Sequence, residues 1–389
     1  MMRRWPGLLA LALLLVACAP AATGTAPAGA EPAPAGAGAQ AAAPPASGAA
    51  AQGAAFPPAV QQLIEGARSE GELKLAWGGG AFGAESGVQL LNEGFNRKYG
   101  LNTKFEFKLA PSMPAMGATI GQEIAAGRTP SVDVYLGNEP PVVELVKQRA
   151  FETVRWTDLV AGLDGRSITE DMVVMVATRD LGITYNTRLV RAEELPRTLG
   201  DMVDPRWRGR LASTPYMILH PLATAELWGE EKTFDYIRGL SANVKGLIRC
   251  GEEERVISGE YAAFVADCGS YAARLLQDKG APVGHVTPED VIILQGWFMG
   301  VPTGAAHPNT AKLFIALMLS PEGQDIAWQT TRIDNHLLPG SRQAEEFKKL
   351  ESKGARVVLT DVNWFLRMER DGVDLPRLER ELLAIIEKK

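Results

Sequence analysis

Beyond residue 55, short continuous apolar runs alternate with longer stretches in which apolar residues recur every third or fourth position. Runs of the first kind fit buried strands and stretches of the second kind fit amphipathic helices, so strands and helices are expected to alternate along the chain. Leu73 to Trp77 is the first strand and leads into Gly78-Gly79-Gly80. Val88, Leu91, Phe95 and Tyr99 then form one apolar stripe of a helix that Gly100, a residue suited to a left-handed terminus, brings to a stop. Thr103 to Leu109 predicts a strand, Ile120 to Ala126 a helix, and Val132 to Leu136 a strand ending in Gly137-Asn138. Pro140 opens a helix to about Arg149, as proline does in a first turn.

Met172 to Ala177 and Leu181 to Tyr185 are strand-like runs around Arg179-Asp180, where a first crossing between two halves is expected. The second half predicts strands at Arg210 to Ala212, Val244 to Ile248 and Tyr261 to Ala266. Its predicted helices are Leu222 to Trp228, Thr233 to Leu240, Glu252 to Ser258 and Ser270 to Lys279. Val291 to Val301 is the return crossing, followed by helices at His307 to Leu319, at Pro321 to Gln329, and from about Trp364 and Leu375. This alternation predicts an α/β fold with mainly parallel sheets flanked by helices. The length exceeds what one core usually covers, which predicts two hinge-linked lobes: 56–180, 181–299, and a return over 300–389.

Residues 1–55 break the pattern. Arg3 and Arg4 precede an apolar run, Leu8 to Val16, too short to span a membrane, which predicts an export signal over 1–17. Leu15-Val16-Ala17-Cys18 resembles the bacterial lipobox, which implies that Cys18 is lipidated and becomes the new amino terminus; a plain secretory signal is the alternative. From Ala19 to Ala55 the chain is almost wholly alanine, glycine and proline, with Glu31 its one charge, so 18–55 is expected to be a disordered tether.

The chain carries 40 basic and 46 acidic side chains, and two of the basic ones, Arg3 and Arg4, fall in the predicted signal. An acidic mature protein is a poor partner for nucleic acid and suits a soluble exported one; a monomer is expected. With Cys18 assigned, Cys250 and Cys268 remain as an even pair in an oxidising compartment, either bridged or as two unlinked buried thiols.

In open α/β sheets ligands lie beyond the carboxyl ends of strands, where loops and helix amino termini converge. That rule selects Trp77 to Phe82, with Gly79 and Gly80 freeing backbone amides, then Asn138, Ser213 to Tyr216, and Asp267 to Tyr271. Tyr271, Tyr216, Ser270 and Asn138 can donate hydrogen bonds, Trp77 can stack on a ring or alkyl face, and Asp267 can accept from an amine or hydroxyl. No metal and no cofactor is called for.

Leu181-Gly182-Ile183-Thr184-Tyr185-Asn186-Thr187-Arg188-Leu189-Val190, Glu194-Leu195-Pro196 and Asp204-Pro205-Arg206-Trp207-Arg208-Gly209-Arg210 resemble the central signature of extracellular solute-binding proteins of ABC importers. Ser258-Gly259-Glu260-Tyr261, Ala306 to Phe314 and Leu319 to Gln324 extend the similarity over essentially all of 70–345, nearest to the ferric-ion-binding branch. The resemblance implies a type II periplasmic-binding-protein fold that closes on one solute and docks on a permease served by a separate ATPase subunit. It also implies a location in the periplasm or at the cell surface. Iron-binding members carry two adjacent tyrosines where this chain has Ser270-Tyr271, so a small organic solute, with anions among the options, is expected ahead of ferric ion or a ferric chelate.

Enzyme signatures are missing. Ser86 in Gly83-Ala84-Glu85-Ser86-Gly87 is one place off the nucleophile-elbow spacing, and no Ser-x-x-Lys occurs after residue 55. The histidines at 220, 285, 307 and 336 form no two-histidine helical motif, so a periplasmic hydrolase is the weaker reading.

Overall fold

A computed structural model describes residues 56–215 and 219–387, with the backbone alone at 219–221. Cys18, Tyr216, and the segments 1–17 and 18–55 lie outside the described residues.

Among the described residues twelve strands form two sheets. The first sheet holds β1 (Glu72–Trp77), β2 (Lys104–Leu109), β3 (Val134–Gly137), β4 (Ile168–Thr169), β5 (Val173–Leu181), β11 (Val291–Gly300) and β12 (Arg356–Leu359), in the order β2-β1-β3-β11-β5-β4, with β12 on β11. The second holds β6 (Ile183–Asn186), β7 (Leu211–Ser213), β8 (Val244–Leu247), β9 (Ala263–Val265) and β10 (Val283–Val286), in the order β10-β6-β9-β7-β8. The chain leaves the first sheet at Leu181, enters the second at Ile183, and returns between Val286 and Val291.

Both sheets are mixed, where a mainly parallel arrangement is the sequence expectation. β1, β2 and β3 are parallel, as are β7, β8 and β9, but β11 runs against β3 and β5, and β6 runs against β9 and β10. The cause is the double crossing: β5 carries the chain out and β11 brings it back, so side by side they must oppose.

Gly182 is the single residue between β5 and β6, and a Cβ there would lie 2.5 Å from the Val286 carbonyl oxygen and 2.6 Å from His285 Nε2. Outgoing and returning chain are therefore packed together at a point that admits only glycine. β11 also has a gap on one side, because β12 pairs with it over Val291 to Leu294 and β3 over Phe298 to Gly300. The Glu139 carboxylate fills this gap, and Gly296 N–H donates to its Oε1.

One core packs β1, β3, β5 and β11 against the Ala84–Tyr99 and Pro308–Met318 helices. A second packs β6, β7 and β9 against the Glu230–Asn243 and Leu375–Glu387 helices, and a third fills the opposite face of the first sheet against the Met113–Ala125 and Glu139–Lys147 helices. The Pro58–Glu70 helix, the Arg342–Glu351 helix, β10 and β12 add to the elements legible in the sequence.

Candidate functional site

The seam between the sheets is built from one loop after β1, the start of the helix after β3, the facing strands β5 and β11, and the start of the Ser270–Asp278 helix. Gly79 and Gly80 are exposed at the tip of the first loop. Just beyond them Phe82, Gly83 and Ala84 take left-handed backbone conformations, with φ of 45°, 70° and 48°. Gly87 makes that turn possible, since a Cβ there would overlap the Phe82 carbonyl. The turn buries Phe82 against Trp297, ring centroids 5.3 Å apart and edge to face.

Trp77 does not join this seam. It is fully buried, with Phe107 at 5.2 Å and Phe314 at 6.4 Å, so its ring is part of the first core and is not placed to stack on a solute. Three more candidates are committed to the protein itself. Asp267, buried, accepts from Gly182 N–H (3.1 Å), Gly269 N–H (3.0 Å) and Thr184 Oγ1 (2.6 Å). Ser270 donates its buried hydroxyl to Asp180, and Ser213 donates its own to the Val265 carbonyl. A short polar residue at the end of a buried strand meets buried polar groups of the protein before it meets solvent, and these side chains pair with such groups.

Asn138 and Tyr271 remain. Asn138 is half-buried at the cap position of the Glu139–Lys147 helix, and its side chain makes no capping bond there. Tyr271 is half-buried in the first turn of the Ser270–Asp278 helix, its ring 5.9 Å from that of Trp297 and set against it edge-on. Burial raises the Tyr271 phenol above its ordinary pKa, against the pull of nearby Arg179, so the phenol keeps its proton at neutral pH.

Arg179 is the residue that sequence reasoning missed. It stands on β5 opposite Gln295 of β11 and donates to Gln295 Oε1 (2.5 Å) and to the Cys268 carbonyl (3.0 Å). Its guanidinium lies 6.0 Å from the Trp297 ring centroid. The signal was a charge inside an apolar run, which the sequence reading took as the break between two strands. β5 in fact continues unbroken through it.

Cys250 and Cys268 are bridged, 18 residues apart. The bridge ties the loop after β8 to the loop after β9 across the end of β7, which lies between those strands. Its loss should cost about 3 kcal/mol on the chain-entropy account and loosen the carbonyl that holds Arg179. Melting Cys250→Ser beside the oxidised parent, with and without reductant, tests this: reductant should lower the parent's midpoint to that of the variant.

His307 Nδ1 contacts Asp133 Oδ2 at 2.8 Å and His336 Nδ1 contacts Thr178 Oγ1 at 2.8 Å, both structural bonds. Among the described residues no group of three or more histidines, cysteines, aspartates or glutamates could hold a metal ion. An open groove of about 440 Å³ between the Met113–Ala125 and Glu139–Lys147 helices, lined by Gly117, Gly121, Pro141 and Leu145, shares no residue with the seam.

Residues 93–353 match the family model described as bacterial extracellular solute-binding protein. A relative named Fe(3+)-binding periplasmic protein, from Serratia marcescens, is 23% identical over 290 residues, covering 65% of this chain and 80% of that protein. Among solved structures, the substrate-binding protein of an ABC transporter from Agrobacterium tumefaciens superposes with a TM-score of 0.66 at 19% identity, over 83% of this chain and 97% of that one. The periplasmic binding protein AfuA from Actinobacillus pleuropneumoniae, with fructose-6-phosphate bound, gives 0.62 at 21% identity, over 82% and 99%.

Proposed function

The chain belongs to the family of bacterial extracellular solute-binding proteins, and we propose that it captures a small organic solute between its lobes for delivery to an ABC importer. The observation that carries the choice of solute class is the seam itself. Tyr271 from one side, with Arg179, Trp297 and Asn138 from the other, supplies a phenol, a guanidinium and a carboxamide around an aromatic wall. A solute touching both sides favours the closed state by the free energy of contacts absent when the lobes part, and closure is the form suited to a permease.

Ferric ion suits this seam poorly. A hard trivalent cation wants several anionic oxygens, whereas here one phenol holds its proton and a guanidinium stands beside it. The name of the Serratia relative keeps ferric chelates in the test. We further propose that Cys18 is lipidated and tethers the exported protein to a membrane; palmitate incorporation that survives in Cys18→Ser would refute the anchor.

A thermal-shift screen of carboxylates, phosphonates, thiamine, polyamines, sugars and ferric chelates should return one class, since a solute at a hundred times its Kd adds about 2.7 kcal/mol. Small-angle scattering with that solute should register compaction. Tyr271→Phe, which deletes one hydrogen bond, should weaken binding by about 0.5–1.5 kcal/mol. No compaction with any member of the panel would overturn the closing binder.

A further inference from the structure

We propose that Arg179 receives the carboxylate of a monoanionic organic solute, with Glu139 beside it as an internal acid that competes for the same guanidinium. This rests on reading the seam as the solute site, and it specifies the chemical class that the site selects.

The first ground is charge. Other arginines around the crossing have carboxylate partners: Arg274 has Glu346, Arg332 has Asp278 at 2.7 Å, and Arg342 has Asp325 at 2.8 Å. Among the described residues no carboxylate lies within 4 Å of Arg179, and its two hydrogen bonds go to the neutral oxygens of Gln295 and Cys268. Its Nε is buried without a protein partner. A half-buried guanidinium in this state has its buried Nε–H still to satisfy, which suits it to an anion.

The second ground is Glu139. Its carboxyl is wholly buried in the gap beside β11, with Oε1 accepting from Gly296 and Oε2 without a partner. Burial pushes it up to about 7, against the opposing pull of Arg179 and with a further push from Asp361, which burial has itself raised to about 6. Arg179 on β5 and Asp361 at the cap of the Val362–Arg370 helix are the charged groups that bear on it. The acid in Arg179's field is thus only partly ionised near neutral pH, and an arriving carboxylate meets a cation that is only partly compensated. The solute's own charge raises Glu139 further, so binding should take up a proton and weaken as pH rises through 7.

One cation with one acid that can take up a proton matches one negative charge, and the Trp297 and Tyr271 rings offer an apolar wall for the body behind it. A phosphate dianion would need more donors than this seam presents, and a diamine would be repelled by Arg179.

The experiment compares acetate, benzoate and cyclohexanecarboxylate with their amides, with inorganic phosphate and with putrescine, by calorimetric titration and melting at pH 6 and 8. At least one carboxylate should bind, its amide should not, and affinity should be lower at pH 8. Arg179→Gln should lower carboxylate affinity about ten- to a hundredfold, the range for losing a hydrogen bond to a charged group. Arg179→Lys, which keeps the charge but not the fork, serves as the second variant should the first melt early, and it should retain part of the affinity. Glu139→Gln should bind as tightly at pH 8 as at pH 6.

Amides binding as well as acids, retention of carboxylate binding in Arg179→Gln, preference for phosphate or putrescine, or no carboxylate binding at 50 mM would each overturn the proposal. Putrescine or a ferric chelate that binds with compaction would do so while leaving solute capture intact. Carboxylate binding that depends on Arg179 but produces no compaction would spare the subsite and remove the hinge.

Discussion

Asp267→Ala should destabilise the protein by about 3–5 kcal/mol, the cost of removing one partner from a buried ionic cluster. Asp267 holds the crossing from three directions, accepting from Gly182 at the hinge, Thr184 on β6 and Gly269 at the head of the Tyr271 helix. His285 Nε2 lies 3.3 Å from its Oδ2, off the line of a good hydrogen bond, so that contact is mainly ionic. Asp180 lies on the other side of the ring, 3.9 Å from Nδ1. Burial alone would raise Asp267, but the His285 charge and the hydrogen bonds from Thr184 and Gly269 hold it below the usual carboxylate range. Burial would likewise lower His285, yet Asp267 and Asp180 together raise it, against a smaller opposing push from Arg274.

The two shifts bound a pH window. The contribution of His285 is complete below about 6.5, the unfolded value, and disappears as pH rises through the raised folded value. The contribution of Asp267 is complete above about 3.9 and disappears as pH falls through the depressed folded value. Urea midpoints of the parent should therefore fall at both ends of a pH series, while those of Asp267→Ala should be lower throughout and flatter at both ends. Equal pH slopes in parent and variant would mean that the pair does not hold the hinge.

Asp267 also marks how far the sequence could be read. Strand ends were legible because apolar runs stop where glycine and polar residues begin, and β1, β3 and the Ala84–Tyr99 helix fall within a few residues of their expected bounds. Asn138 and Tyr271, picked by strand-end position alone, reach the seam. Asp267, Ser270 and Ser213, picked by the same rule, pair with the protein itself, because position along a strand cannot tell whether a polar side chain turns to the cleft or back to a buried polar group. Arg179 was hidden for a different reason. Only the pairing of β5 with β11, set by contacts more than a hundred residues apart in sequence, places its side chain over Trp297 and against the Cys268 loop.

Trp77 separates core from cleft most sharply. Trp77→Ala should cost about 3–5 kcal/mol, the usual range for emptying an aromatic site in a core. The indole is fully buried between Phe107 and Phe314, inside the core that includes the Pro308–Met318 helix, so no solute contact goes with it. Its Nε1 has no protein partner, which is why Trp77→Phe should cost less: volume is lost but no hydrogen bond. Trp297→Ala removes a ring of the same size that touches Tyr271, Phe82 and Arg179, and should lower both stability and solute affinity. Urea unfolding together with calorimetric titration of whichever solute the screen returns distinguishes the two tryptophans. A folded Trp77→Ala that had lost affinity as steeply as Trp297→Ala would put the solute deeper in this core, against Phe107 and Phe314, and undo the seam as its binding place.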